Sequence, residues 1–194
     1  MRHTLAILAL LALGACQQPR KAEEAANAPA GGKTPTACTL DPFGCRFMPI
    51  AGCAGIFEVE AGKVAARRAT SPAVKAYAEL MVKEHGAIND EYRELMRRKG
   101  MVPPDTTLLV YRQKLDTLLK LPAEQFDARY ARMMVDDHTM AVQMFKQAAQ
   151  TAQDAEYQEW LGRMQTIVAQ HAQHATELQQ GQAHPHHGAG AGSR

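Results

Sequence analysis

Three histidines carry most of the chemistry this chain offers. His85 closes the stretch YAELMVKEH (residues 77–85) and His138 closes YARMMVDDH (residues 130–138), so Tyr, Ala, Met, Val and His recur at the same places fifty-three residues apart. His171 lies on a third apolar stripe, which starts at Tyr157. An imidazole in an apolar frame costs free energy unless its ring nitrogens are hydrogen-bonded or metal-bound. Converging imidazoles suit one first-row transition metal, with Zn, Cu, Fe and Ni all compatible. A carboxylate, Glu60, completes the candidate ligand set Glu60, His85, His138 and His171. Met81 and Met134 stand one turn before their histidines, where a thioether adds a soft ligand for Cu(I); methionine also fills irregular cores well.

Paired-iron chemistry needs bridging carboxylates, supplied in helical bundles by Glu-x-x-His on two helices and a Glu on each of two others. Val82, Val135 and Val168 occupy the positions three before the histidines, so that motif is absent and one mononuclear site is expected. Two other readings stand beside it. In one, the histidines join Asn89 or a tyrosine hydroxyl in a buried hydrogen-bond cluster without metal, in a structural or interaction module. In the other, a metal at the same site serves an oxidoreductase.

Helices must position these groups. Val74, Tyr77, Ala78, Met81, Val82, His85, Ile88, Tyr92, Leu95 and Met96 recur at intervals of three and four, the stripe of an amphipathic helix. Thr70-Ser71-Pro72 supplies its cap and first-turn proline, and Gly100 with Pro103-Pro104 its stop. Equivalent stripes run from Phe126 to Ala149, from Tyr157 to Leu178 behind an Asp154 cap, and from Ile50 through Cys53, Phe57 and Glu60 to Val64. Leu108 to Leu121 forms a shorter helix within the long central connection. The expected fold is all-α, a ferritin-like four-helix bundle with a short extra helix in the crossover. His85 lies thirteen residues beyond Pro72 and Glu60 ten before Thr70, while His138 lies thirteen before Thr151 and His171 seventeen beyond Asp154. At ~1.5 Å of rise per residue, all four fall near mid-bundle.

Residues 50–180 hold this bundle, and the flanks read differently. Residues 1–15 form a short apolar run too brief to span a bilayer and fit a secretion signal. Its end, Leu13-Gly14-Ala15-Cys16, resembles the bacterial lipobox, which implies cleavage before Cys16 and attachment of acyl chains such as palmitate. Residues 16–37 read as a flexible tether, and residues 181–194 as a disordered His- and Gly-rich tail in which His184, His186 and His187 hold metal with little selectivity. The expected location is the cell envelope, lipid-anchored to the outer membrane and facing the periplasm, with the membrane as partner through Cys16. In that oxidising compartment the Cys-containing loop 38–49 is expected to close one disulfide, Cys38 with Cys45, leaving Cys53 on the first stripe.

A net charge of +2 with interspersed signs offers no face for nucleic acid. No nucleophile set or phosphate-cradling Gly loop is readable, which disfavours hydrolase and nucleotide chemistry. YAELMVKEH, FDARYARMMVDDHTMAVQMFKQAA and FEVEAGKVAARRATSPAVKAYA together resemble the DUF4142 family, ferritin-like exported bacterial proteins of unknown function. The resemblance covers roughly Ile50 to Leu178 and implies the bundle and an exported location. It implies no reaction, substrate or cofactor, and the cysteine-bearing stretch and His-rich tail depart from the family pattern.

Overall fold

A computed structural model describes residues 38–183. The segments expected as signal peptide and tether, with Cys16, and the tail histidines lie outside the described residues. Five helices follow in order: α1 Pro42–Arg68, α2 Pro72–Arg98, α3 Leu109–Lys120, α4 Ala123–Thr151 and α5 Ala155–Ala183. The four long helices form the bundle and α3 is the short helix of the crossover.

Helix α1 opens at Pro42 rather than at Ile50, so most of the stretch expected as a loop is helical. Asp41 explains the early start: its carboxylate accepts from the backbone N–H groups of Phe43 and Gly44 at 3.0 and 3.1 Å, and Pro42 needs no partner in the first turn. Pro49 lies within the helix, where it forfeits one backbone hydrogen bond; Phe47 and Met48 beside it are buried. A disulfide ties Cys38 to Cys45 on the first turn, and Cys53 is a buried free thiol whose Sγ contacts the Thr106 carbonyl oxygen at 3.4 Å.

The start of α2 is capped by a different helix. The Asp127 carboxylate, from α4, accepts from the N–H of Thr70, the hydroxyl of Thr70 and the N–H of Ser71, the last two at 2.6 and 2.7 Å. One carboxylate thereby neutralises orphan donors at a positive helix end and fastens the α1–α2 turn to α4. At the far end of α2, Gly100 adopts φ 73°, and the N–H of Met101 donates back to the Met96 carbonyl at 2.9 Å. This left-handed stop needs a residue without Cβ. The C-terminus of α3 is held by the Arg68 guanidinium, which donates to the carbonyls of Leu118, Leu119 and Leu121.

Register follows from three glycines. A Cβ on Gly52 would meet the Tyr92 ring, one on Gly55 the Asn89 amide oxygen, and one on Gly62 the Val82 side chain, so α1 and α2 run antiparallel in very close approach. Carried forward, that register sets Glu58 opposite Gly86, one residue from His85. Gln158 and Gln165 donate to the carbonyls of Ala152 and Phe145, so α4 and α5 are also antiparallel, and His138 falls opposite Ala172, one residue from His171. Tyr77 packs on Tyr130 and His85 on His138, at ring-centroid separations of 6.3 and 5.7 Å. Helices α2 and α4 are therefore parallel with an offset equal to the sequence repeat. The doubled motif delivers two equivalent histidines at one height.

The apolar core divides at that height. One half contains Phe57, Tyr77, Met81, Tyr130, Met134 and Leu178, and the other Phe47, Met48, Tyr92, Leu95, Tyr157 and Leu161. Along α2, α4 and α5 the three histidines fall between the two halves, as a polar layer across the bundle.

Candidate metal centre

His85, His138 and His171 are all buried, at 7%, 2% and 3% exposure, and their rings lie 5.1 to 5.7 Å apart between centroids. One nitrogen from each falls within 4.8 Å of the other two. This buried cluster is able to coordinate a single transition-metal ion.

Hydrogen bonds on the outer nitrogens aim the inner ones. Nδ1 of His138 lies 2.9 Å from the Met134 carbonyl oxygen, which can only accept, so Nδ1 carries the proton and Nε2 a free lone pair. Nε2 of His171 lies 2.6 Å from the Glu84 carboxylate, leaving the lone pair on Nδ1. A carboxylate behind a histidine in this way fixes ring orientation and raises ligand basicity. Among the described residues no group hydrogen-bonds to Nε2 of His85, Nε2 of His138 or Nδ1 of His171. Those three atoms have been taken out of water and given no protein partner.

The rings are held neutral. Burial, reinforced by the neighbouring imidazoles, pushes His85 well below its ordinary value and His138 down to about 4. Burial also lowers His171, against the opposing pull of Glu84. Although the His171–Glu84 contact has ion-pair spacing, the lowered basicity makes it a neutral-to-anion hydrogen bond near neutral pH. Neutral imidazoles are what a cation requires.

Glu60 does not join them. Its side chain is exposed, whereas Glu58 is 6% exposed and faces the interior. Height along the axis put Glu60 near the histidines, but two residues correspond to about 200° of helix rotation, which turns it outward. Glu58 was missed, although Gly52, Gly55, Glu58 and Gly62 share intervals of three and four, the face that the close approach to α2 requires. Glu58 has one oxygen, Oε2, without a partner, and burial with the nearby Asp137 charge pushes its carboxyl up to about 8, Lys114 opposing. Met81 and Met134 are fully buried in the apolar half that contains Tyr77 and Tyr130.

Asn89 and the tyrosines expected to satisfy the histidines look elsewhere. Asn89 donates to the Gly55 carbonyl at 3.0 Å, the Tyr77 hydroxyl to the backbone carbonyl of His171 at 3.3 Å, and the Tyr92 hydroxyl to the Met48 carbonyl. The Tyr130 hydroxyl has no partner, so neither Asn89 nor the Tyr77, Tyr92 or Tyr130 hydroxyl is hydrogen-bonded to an imidazole nitrogen.

A cavity of about 360 Å³ reaches the histidine layer, with all three histidines and Glu58 in its wall. Apolar side chains make up most of the remainder, among them Phe47, Ile88, Phe145 and Trp160. None of the helices among the described residues is long and apolar enough to cross a membrane.

No curated protein and no solved structure matches this chain. A family model, described as a domain of unknown function, does match, over residues 31–178, which takes in α1 to α4 and α5 as far as Leu178 together with all three histidines. With that much of its length matched, the chain belongs to the DUF4142 family.

Proposed function

We propose that the bundle binds one first-row transition-metal ion on His85, His138 and His171, in an envelope lipoprotein that serves metal handling or envelope stress. The observation that supports this most is the trio of buried, neutral histidines, each offering a nitrogen within 4.8 Å of the other two and each carrying a buried nitrogen without a hydrogen-bond partner. Burial of an unpaired polar atom costs about 1–3 kcal/mol, and a metal removes that cost at three atoms together. Three imidazoles without a carboxylate suit Zn, Cu, Fe or Ni and leave a coordination position open. The missing Glu-x-x-His pairs argue against two-iron oxidase chemistry.

Metal content of protein lacking the His-rich tail, measured beside a His85→Ala/His138→Ala variant, tests the reading. The expected result is one equivalent in the parent and a drop of about a hundredfold or more in affinity in the variant. Equal, negligible metal in both would return the histidines to a purely structural role in an interaction module. A catalytic role is the second reading, favoured by the cavity that opens onto the site, and oxidative turnover by the loaded protein would establish it.

Anchoring at Cys16 is part of the same proposal and is supported by the lipobox-like Leu13-Gly14-Ala15-Cys16. Cys16→Ser should move the protein from the membrane fraction to the soluble fraction; unchanged fractionation would reject the lipid anchor.

A further inference from the structure

The cavity beside the histidines is lined by polar and apolar side chains together. Its lining includes His85, His138, His171 and Glu58, all more than nine-tenths buried, and each of the four carries a polar atom without a hydrogen-bond partner. Its walls are apolar, formed by Phe47, Ile88, Phe145 and Trp160 among others. Apolar side chains also stand at its exposed parts: Ile50, Val110 and Met140 are 43%, 40% and 66% exposed and all three line it. Single exposed apolar residues need no explanation, but three gathered around one cavity describe an apolar entrance. A volume of about 360 Å³ is within the range of small-molecule sites and holds roughly a dozen non-hydrogen atoms, taking ~30 Å³ for each.

The geometry points to a small monocarboxylate with a hydrocarbon tail as the occupant, its carboxylate on the histidine-bound metal and beside Glu58, and its tail along the apolar wall. This rests on the mononuclear metal reading and adds the ligand class to it. Three neutral imidazoles leave a divalent ion with its full charge in an apolar enclosure, so the ligand that completes its coordination should be an anion. An amine would bring a second positive charge, and a neutral alcohol would leave the charge uncompensated. The Glu58 carboxyl, kept protonated near neutral pH by its burial, supplies an O–H that donates to the second carboxylate oxygen. The other polar groups of the lining are engaged with one another or with backbone: Lys114 pairs with Asp137, whose second oxygen has no partner, and Asn89 donates to the Gly55 carbonyl.

Trp160, the sole tryptophan of the chain, lines the cavity and reports occupancy through its emission. The experiment loads the protein lacking its His-rich tail with Co(II), verifies one equivalent by metal analysis, and titrates octanoate. Trp160 emission and the visible Co(II) spectrum are followed together. Both signals should saturate in parallel, with affinity more than about a hundredfold above that of acetate, since each buried methylene contributes roughly fourfold. Ala54→Phe, which adds a ring at a lining residue that is not among the candidate metal ligands, should keep the cobalt and weaken octanoate about tenfold or more. Cobalt uptake with neither signal responding to octanoate overturns the ligand assignment and leaves the metal reading standing. Octanoate binding equally well without cobalt, or 1-octanol binding as tightly as octanoate, overturns the carboxylate–metal contact. Failure to take up cobalt overturns both readings.

Discussion

Metal-free His138→Leu protein should melt above metal-free wild type, and zinc should reverse the order. In the metal-free protein, Nε2 of His138 is buried without a partner, and a leucine of similar bulk removes that atom. The loss on the other side of the ring is small, because the Met134 carbonyl that accepts from Nδ1 also sits within the α4 backbone ladder. The expected gain is about 1 kcal/mol, or roughly 2–4 °C for a domain of this size. Zinc acts on the other protein. Ligand binding to the native state alone stabilises by ~2.7 kcal/mol at a hundred times Kd and ~4.1 kcal/mol at a thousand times Kd, so wild type should gain close to 10 °C and His138→Leu almost nothing. Thermal unfolding of both proteins, stripped and zinc-loaded, supplies the four midpoints. If the stripped variant melts several degrees below wild type and zinc moves neither protein, the imidazole is a satisfied structural group and the metal site is wrong.

The helices and the histidines were legible because both rest on one-dimensional spacing. Apolar residues at intervals of three and four reveal a face, and the equal spacing of YAxxMVxxH in two segments puts His85 and His138 at matching heights once the helices run parallel. The fourth acidic position was not legible in the same way. Helix α1 buries Gly52, Gly55 and Gly62, which carry no hydrophobic signal, so its inward face could not be located from large side chains alone. Height without rotation then selected Glu60 in place of Glu58. Glycine at intervals of three and seven was the available clue, since a helix that buries glycine does so to admit a neighbour closely.

Tertiary contributions were hidden for a different reason. The Asp127 carboxylate that holds the start of α2 comes from fifty-six residues away and resembles any acidic residue at the start of α4. Likewise, Pro42, Gly44 and Pro49 look like a loop until Asp41 is seen to cap the first turn, after which Pro42 belongs to a helix. The cavity is read from space left between helices, and sequence records side chains rather than gaps.

Glu58 should make the metal-free protein less stable as the pH rises from 5 to 8, and Glu58→Gln should remove that slope. Its folded carboxyl is pushed up to about 8 against an ordinary value of 4.5, by burial first and the Asp137 charge second, with Lys114 opposing. Between those values the native state holds a proton that the unfolded state has released, so folding takes up a proton and each unit of pH lowers stability. Below 4.5 both states are protonated and nothing is lost; above about 8 both are ionised and the loss is complete. At ~1.4 kcal/mol per unit, the loss is on the order of 3 kcal/mol by pH 7. His138 works in the opposite sense: with its folded value lowered to about 4, it contributes stability above 6.5 that is lost as the pH falls toward 4. That contribution is common to parent and Glu58→Gln, so the difference between their denaturation free energies isolates the carboxyl. The difference should be small at pH 5 and should widen to several kcal/mol in favour of the glutamine protein at pH 8. A difference that stays constant across the range would mean that Glu58 ionises freely in the folded protein. A widening difference would show that an amide of the same shape stabilises this position near neutral pH, which is the pattern of a group retained at a cost to stability because a site uses it.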